Sequence, residues 1–305
     1  MPYSGLGDTG GRDTGVKFSE PAVPVAPSKR RRLVIEIVIV LAVFPLPYVV
    51  NALAVLIQAM VHEGIPGRYS MAIPAHVGLS FLIDLLLALE PLVGAGLVVF
   101  LLWISEEGGT RSIGLDWSDP RQDLALVLPV FLLGFLLPQI GVEYLLVGLH
   151  VHGITLAAQN LPTYYAVVAM VSAVTAGVVE EIVVLGFLVR RLEQCGCRPV
   201  AVVVICVLVR ISYHLYYGWG VLAILAWALA SVLLYRRYRR LWPFIAVHVL
   251  WDVGSLLVTF FGVTPLLIEM VVLAPSTFVF WLMWRDRLHR RAALSQTSGR
   301  WRRGS

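Results

Sequence analysis

Residues 164–192 read YYAVVAMVSAVTAGVVEEIVVLGFLVRRL. Apart from a glutamate pair in the interior and an arginine pair at the end, the run is apolar on every side of a helix, and a surface helix of a soluble protein has no use for that. At 1.5 Å per residue a helix of this length exceeds the ~30 Å hydrocarbon core of a bilayer. Arg190 and Arg191 end it in the way that interfacial cations end a membrane span. Glu180 and Glu181 lie inside, where an unpaired charge costs about 2.5–3.5 kcal/mol, so the stretch reads as a transmembrane helix with a functional reason to be polar.

The rest of the 305-residue chain agrees with that reading: it is 58% hydrophobic and only 14% charged, against roughly 25% charged in soluble domains. Runs of about 20 apolar residues fall at Leu33–Met60, Ala75–Ile104, Leu124–Leu149, Tyr164–Leu192, Pro199–Tyr217, Val221–Tyr235, Trp242–Phe261 and Pro265–Trp284. The expected fold is therefore an all-α polytopic membrane protein of about eight spans. Of the 24 Lys and Arg residues, all but Arg68 and Arg210 fall on the side of the membrane that holds both ends of the chain. The positive-inside rule makes that side the cytoplasm, so both termini are expected there. The net charge of +5 is thus a topology signal, and nucleic acid is not an expected partner.

The expected organisation is a disordered cytoplasmic tail over 1–32, a three-helix membrane region over 33–160, a core over 161–262, a last span over 263–286 and a basic cytoplasmic tail over 287–305. The tail is rich in Gly, Pro and Ser and has no apolar centre, unlike a signal peptide. Cys195, Cys197 and Cys206 make neither a disulfide framework nor a complete zinc motif. Trp103, Trp117, Trp219, Trp242, Trp281 and Trp284 fall near span ends, as interfacial belts do. Gly134, Gly141 and Gly148 recur on one face of the third span and suggest close helix packing.

Most ionisable residues inside spans stand alone; Asp84, Glu90, Glu143 and Glu269 have no titratable neighbour one turn away. The core differs. Glu180 and Glu181 lie on one span, Arg210 and His214 on the next, and His248 and Asp252 further on. The last two pairs are spaced i, i+4, which gives each pair one helix face. Counting the helical rise from the cytoplasmic end puts all three groups between about 15 and 23 Å deep. Carboxylates and imidazoles at one depth are the materials for water activation and proton transfer. Three ionised carboxylates against one guanidinium leave negative charge uncompensated, so either a carboxyl holds a proton or a divalent cation such as zinc binds among Glu180, His214, His248 and Asp252. Other protease signatures fail. His62-Glu63 would need a His where Pro66 stands, the Gly5-Leu6-Gly7-Asp8 string lies in the polar tail, and neither Ser172 nor Ser212 has an activating context.

In order and spacing, these residues resemble the CPBP family, the CAAX proteases and bacteriocin-processing or Abi-type membrane proteins. The resemblance rests on Glu180-Glu181-Ile-Val-Val-Leu185, Arg210-Ile-Ser-Tyr-His214 and His248-Val-Leu-Trp-Asp252. Two positions depart from the pattern: Leu185 stands where the family has arginine, and Arg210 where it has phenylalanine. Arg210 is expected to replace the missing guanidinium as a supporting residue. The resemblance implies that Glu180 is the base that activates water, with Glu181 supporting it. It implies that His214 orients the water or shares its proton, and that His248 and Asp252 stabilise the oxyanion or complete the site. It further implies an intramembrane endopeptidase of the bacterial cytoplasmic membrane, acting on a membrane-associated peptide or protein and of glutamate or metallo type. A catalytically silent member that serves as immunity factor, scaffold or peptide binder is the rival reading, and a proton-coupled transporter a third.

Overall fold

The computed structural model describes residues 26–62, 79–105, 108–148, 163–264 and 274–285. Every regular element among them is helical. Five stretches are long and apolar enough to cross a bilayer: Phe81–Ile104, Pro120–Val142, Tyr164–Gln194, Leu215–Tyr238 and Trp242–Phe261. A bent pair, Pro27–Val43 with Pro45–Ile57, makes a sixth if its halves count as one span. The chain is an all-α polytopic membrane protein.

Where the helices differ from the sequence expectation, local chemistry explains the difference. The first expected span is broken into α1 (Pro27–Val43) and α2 (Pro45–His62), with a 44° bend between them. Pro45 has no N–H to bond back to Leu41, and its ring crowds that carbonyl. The second span is α3 (Leu79–Leu89) and α4 (Leu92–Ile104), jointed at Glu90-Pro91 for the same reason. The third comprises α5 (Pro120–Val130), capped by Asp119 accepting from the Gln122 N–H, then a π-helical turn over Phe131–Leu136, then α6 (Leu137–Gly148). Within it Gly134 meets Trp227, as packing glycines should, whereas among the described residues a Cβ at Gly141 or Gly148 would meet nothing within 4 Å. The expected glycine seam is therefore a single contact.

The central element is α7 (Thr163–Glu180), which runs through a π-helical segment, Glu181–Leu188, into α8 (Val189–Gln194). All eight residues of the π segment are buried. On its outer side Thr175 Oγ1 donates to the Ala88 carbonyl of α3 at 2.7 Å. On its inner side Gly177 lies so close to α11 (Trp242–Phe261) that a Cβ would come within 2.7 Å of Val249 Cγ2 and 2.8 Å of its backbone nitrogen.

The largest correction concerns the fifth expected span. Helix α9 covers only Pro199–Ser212, about 21 Å of rise, and stops short of the expected Tyr217. A 3-10 segment, Leu215–Gly220, leads into α10 (Val221–Tyr238), and Gly218 turns the chain with φ of 58°. Positive φ there is open to glycine and costly for other residues. Of the last expected span, residues 274–285 are helical and 265–273 lie outside the described residues.

The arginine-rich end of the bundle is tied together by side chains. Glu36 of α1 is buried, not turned out toward the surface: Arg32 Nε donates to one of its oxygens at 2.9 Å and Arg191 Nη2 stands 3.0 Å from the other. Arg240 bonds both oxygens of Asp123 and also binds Asp116 and Ser118 at 2.9 and 2.8 Å. This clasps the 114–119 loop to the α10–α11 turn, where Leu241 N–H also donates to the Gly114 carbonyl.

Candidate active site

The six residues singled out in the sequence sit at the meeting of three elements: the α7/π junction, the end of α9 and the middle of α11. Glu181 has no exposed surface and Arg210 only 1%. The two meet as a fork: Arg210 Nη1 donates to Glu181 Oε1 at 3.0 Å and Nη2 to Oε2 at 3.1 Å. Nη2 also points at the Glu180 carbonyl at 3.5 Å. A bidentate guanidinium–carboxylate pair fixes geometry as well as charge. Trp227 of α10 closes the other side of the cation, its ring centre 3.9 Å from the guanidinium carbon. Such a contact adds to the pairing where water is excluded.

His248 completes the set around Glu181, its Nδ1 2.7 Å from the same Oε1 that Arg210 binds. Its Nε2 faces Asp252 Oδ2 at 3.4 Å, long for a hydrogen bond. The ring is held edge-on by Trp227 at 4.7 Å between centres, with Phe135 at 5.8 Å. Asp252 is the open member of the group, with 34% of its side chain exposed.

Glu180 differs from its neighbour. Tyr213 Oη donates to Glu180 Oε2 at 3.0 Å, and among the described residues this is the one hydrogen bond its carboxyl makes. Adjacent in sequence, the glutamates thus divide: Glu181 has both oxygens held by fixed donors, and Glu180 keeps one oxygen free of them.

His214 was expected on a helix face with Arg210. The helix has ended at Ser212, and His214 lies in the turn that follows, its N–H bonded to the Ile211 carbonyl at 2.9 Å. Depth counted by helical rise therefore does not apply to it. Its ring still returns to Arg210, because Nδ1 donates to the Arg210 carbonyl at 2.8 Å. A carbonyl only accepts, so Nδ1 carries the hydrogen and Nε2 is left for other work. The ring is packed among Tyr213, Tyr217 and Tyr216, with centres 4.6, 5.8 and 6.1 Å away, tilted against the first and stacked on the other two.

Sequence reasoning missed two participants, Tyr213 and Trp227. Tyrosine counts as an apolar residue in a span, so Tyr213 was hidden by its own ring. Trp227 carried a signal: it falls in mid-span, away from the interfacial positions of the other tryptophans named above.

The donor set bears on the zinc alternative. Among the described residues no group of three or more His, Cys, Asp or Glu side chains stands together as a metal site. The carboxylate at the centre, Glu181, already holds a guanidinium, a neighbour that repels a cation. As arranged here, Glu180, His214, His248 and Asp252 do not come together as a divalent-metal site.

No curated protein and no solved structure matches the chain. Residues 162–254, which contain all six of these side chains, match the family model described as Rce1-like, type II CAAX prenyl endopeptidase, so that stretch of the chain is similar to the CAAX membrane proteases.

Proposed function

We propose that the chain is an intramembrane endopeptidase that hydrolyses a peptide bond in a membrane-associated protein or peptide, with Glu180 as the base that activates water. The observation that carries this reading is the division between the two glutamates. Glu181 is a structural anion, tied to Arg210 and His248, whereas Glu180 keeps a free oxygen beside Tyr213. In the reaction Glu180 takes a proton from water as the oxygen attacks the scissile carbonyl carbon. The new C–O bond pushes charge onto the carbonyl oxygen. Collapse of that intermediate breaks the C–N bond, and the proton held by Glu180 passes to the leaving amine. His214, held through Nδ1, offers Nε2 to the attacking water. His248, protonated on both nitrogens between the Glu181 and Asp252 carboxylates, offers Nε2–H as the donor this reading assigns to the oxyanion.

Leu185 favours the rival, a silent member that binds a membrane peptide without cutting it. Against that, the guanidinium that Leu185 cannot supply reaches Glu181 from Arg210. The test uses the full chain in lipid vesicles with a membrane peptide that it cleaves. Glu180→Gln is expected to lower kcat by about a thousandfold, within the range of lost general-base catalysis. Tyr213→Phe is expected to lower kcat about tenfold with KM unchanged, the scale of one hydrogen bond to a charged group. Equal turnover by wild type and Glu180→Gln would refute the assignment.

A further inference from the structure

A second feature lies at the arginine-rich end of the bundle, apart from the Glu180 cluster. There a cavity of about 410 Å³ opens between the start of α1, the end of α4 and α8. Its polar wall is Ser28, Lys29, Arg32, Glu36, Ser105 and Arg191. The one acid is already matched, because Glu36 holds Arg32 on one oxygen and Arg191 on the other. Three cations against one carboxylate leave the wall positive. An anion entering it gains charge-assisted hydrogen bonds; a neutral or cationic occupant does not.

We propose that this cavity binds the phosphate headgroup of an anionic phospholipid. The shared chemistry is a phosphate, and its surroundings argue for one attached to a lipid. Farther along α1, Val34, Ile35, Val38 and Ile39 are 45–59% exposed. On the other flank α4 exposes Trp103 and Ile104 at 76% and 48%. A second cavity of about 600 Å³, lined in part by Trp103 and Arg111, shares Ser105 with the first. A headgroup seated among the cations has apolar helix faces beside it for its acyl chains, which a free phosphate would not use. Basic recesses between helices at the cytoplasmic face suit such lipids.

The experiment uses the full chain purified in detergent and titrated with phosphatidylglycerol, phosphatidylcholine or inorganic phosphate, with bound lipid counted by native mass spectrometry. Phosphatidylglycerol is expected to bind saturably and about tenfold more tightly than phosphatidylcholine. Inorganic phosphate at the same concentration is expected not to displace it. Lys29→Ala should weaken phosphatidylglycerol by about fivefold, the scale of one basic side chain at an anionic surface. Arg32→Gln should do the same. Arg237→Glu alters an exposed arginine at the same end but outside the cavity, and should change nothing. Equal binding of the two lipids, displacement by inorganic phosphate, or equal weakening by Lys29→Ala and Arg237→Glu would overturn the proposal.

Discussion

Arg210 supplies from α9 the guanidinium that the resemblance would place at Leu185. It reaches Glu181 from α9, while Leu185, four residues beyond Glu181 and with no exposed surface, holds the position from which the family supplies the charge. Replacing Arg210 with Leu would strand a buried carboxylate, a change that costs about 3–5 kcal/mol. Arg210→Lys keeps the charge but loses both the fork and the Trp227 stack, and should fall between. The expected rescue is specific: adding Leu185→Arg to Arg210→Leu should recover part of the loss, because the new guanidinium can enter the space that Arg210 leaves. Thermal unfolding of the four proteins checks this, and an Arg210→Leu variant that melts with wild type would end the compensation idea. At this scale much of the cluster was legible in the sequence, since charge is rare inside spans and its members had to meet somewhere. What was not legible was the allocation of partners. Spacing brought Glu180 and Glu181 forward together, and only geometry separates the saturated carboxylate from the free one.

At the scale of elements, α7 and α11 approach closely at Gly177, and the atoms opposite include the Val249 backbone nitrogen. Backbone cannot swing aside as a side-chain tip can, so Gly177→Ala should destabilise the protein by about 1–3 kcal/mol. Gly141→Ala, facing open space, should be nearly neutral and serves as its control. Equal melting temperatures for the two variants would show that the helices slide apart freely. Elements were readable to the extent that hydropathy governs them: α11 begins and ends where the apolar run does. The reading failed at α9, because Tyr213, Leu215, Tyr216 and Tyr217 are apolar enough to continue a span. Hydropathy does not register that the chain leaves the helix at Ser212 and turns at Gly218. That departure brings Tyr213 and His214 to Glu180 and the Arg210 carbonyl.

For the whole molecule, the clasp around Arg240 joins parts of the chain more than a hundred residues apart. It makes its own pH prediction. Hydrogen bonds from Ser118, then burial working against them, and then Arg240 set the Asp116 carboxyl; the result is a pKa lowered from 3.8 to about 2. A depressed carboxyl contributes stability above its unfolded pKa and loses it as pH falls through the folded value. Wild type should therefore outlast Asp116→Asn above pH 4, and the two melting curves should converge as the pH approaches 2. A constant gap down to that pH would rule out the ionised carboxyl as the source. The π-helical segment has a consequence of another kind. Glu181 must face α9 and α11, and Arg191, ten residues later, must face Glu36 on α1. Each residue of an α-helix advances the facing direction by about 100°, and a wider turn advances it by less. Glu181–Leu188 therefore works as a vernier, trimming the angular phase of one end against the other without changing which residues stand at either. A chain one residue shorter there would keep every side chain of the cluster and present the wrong side of α8 to the rest of the bundle.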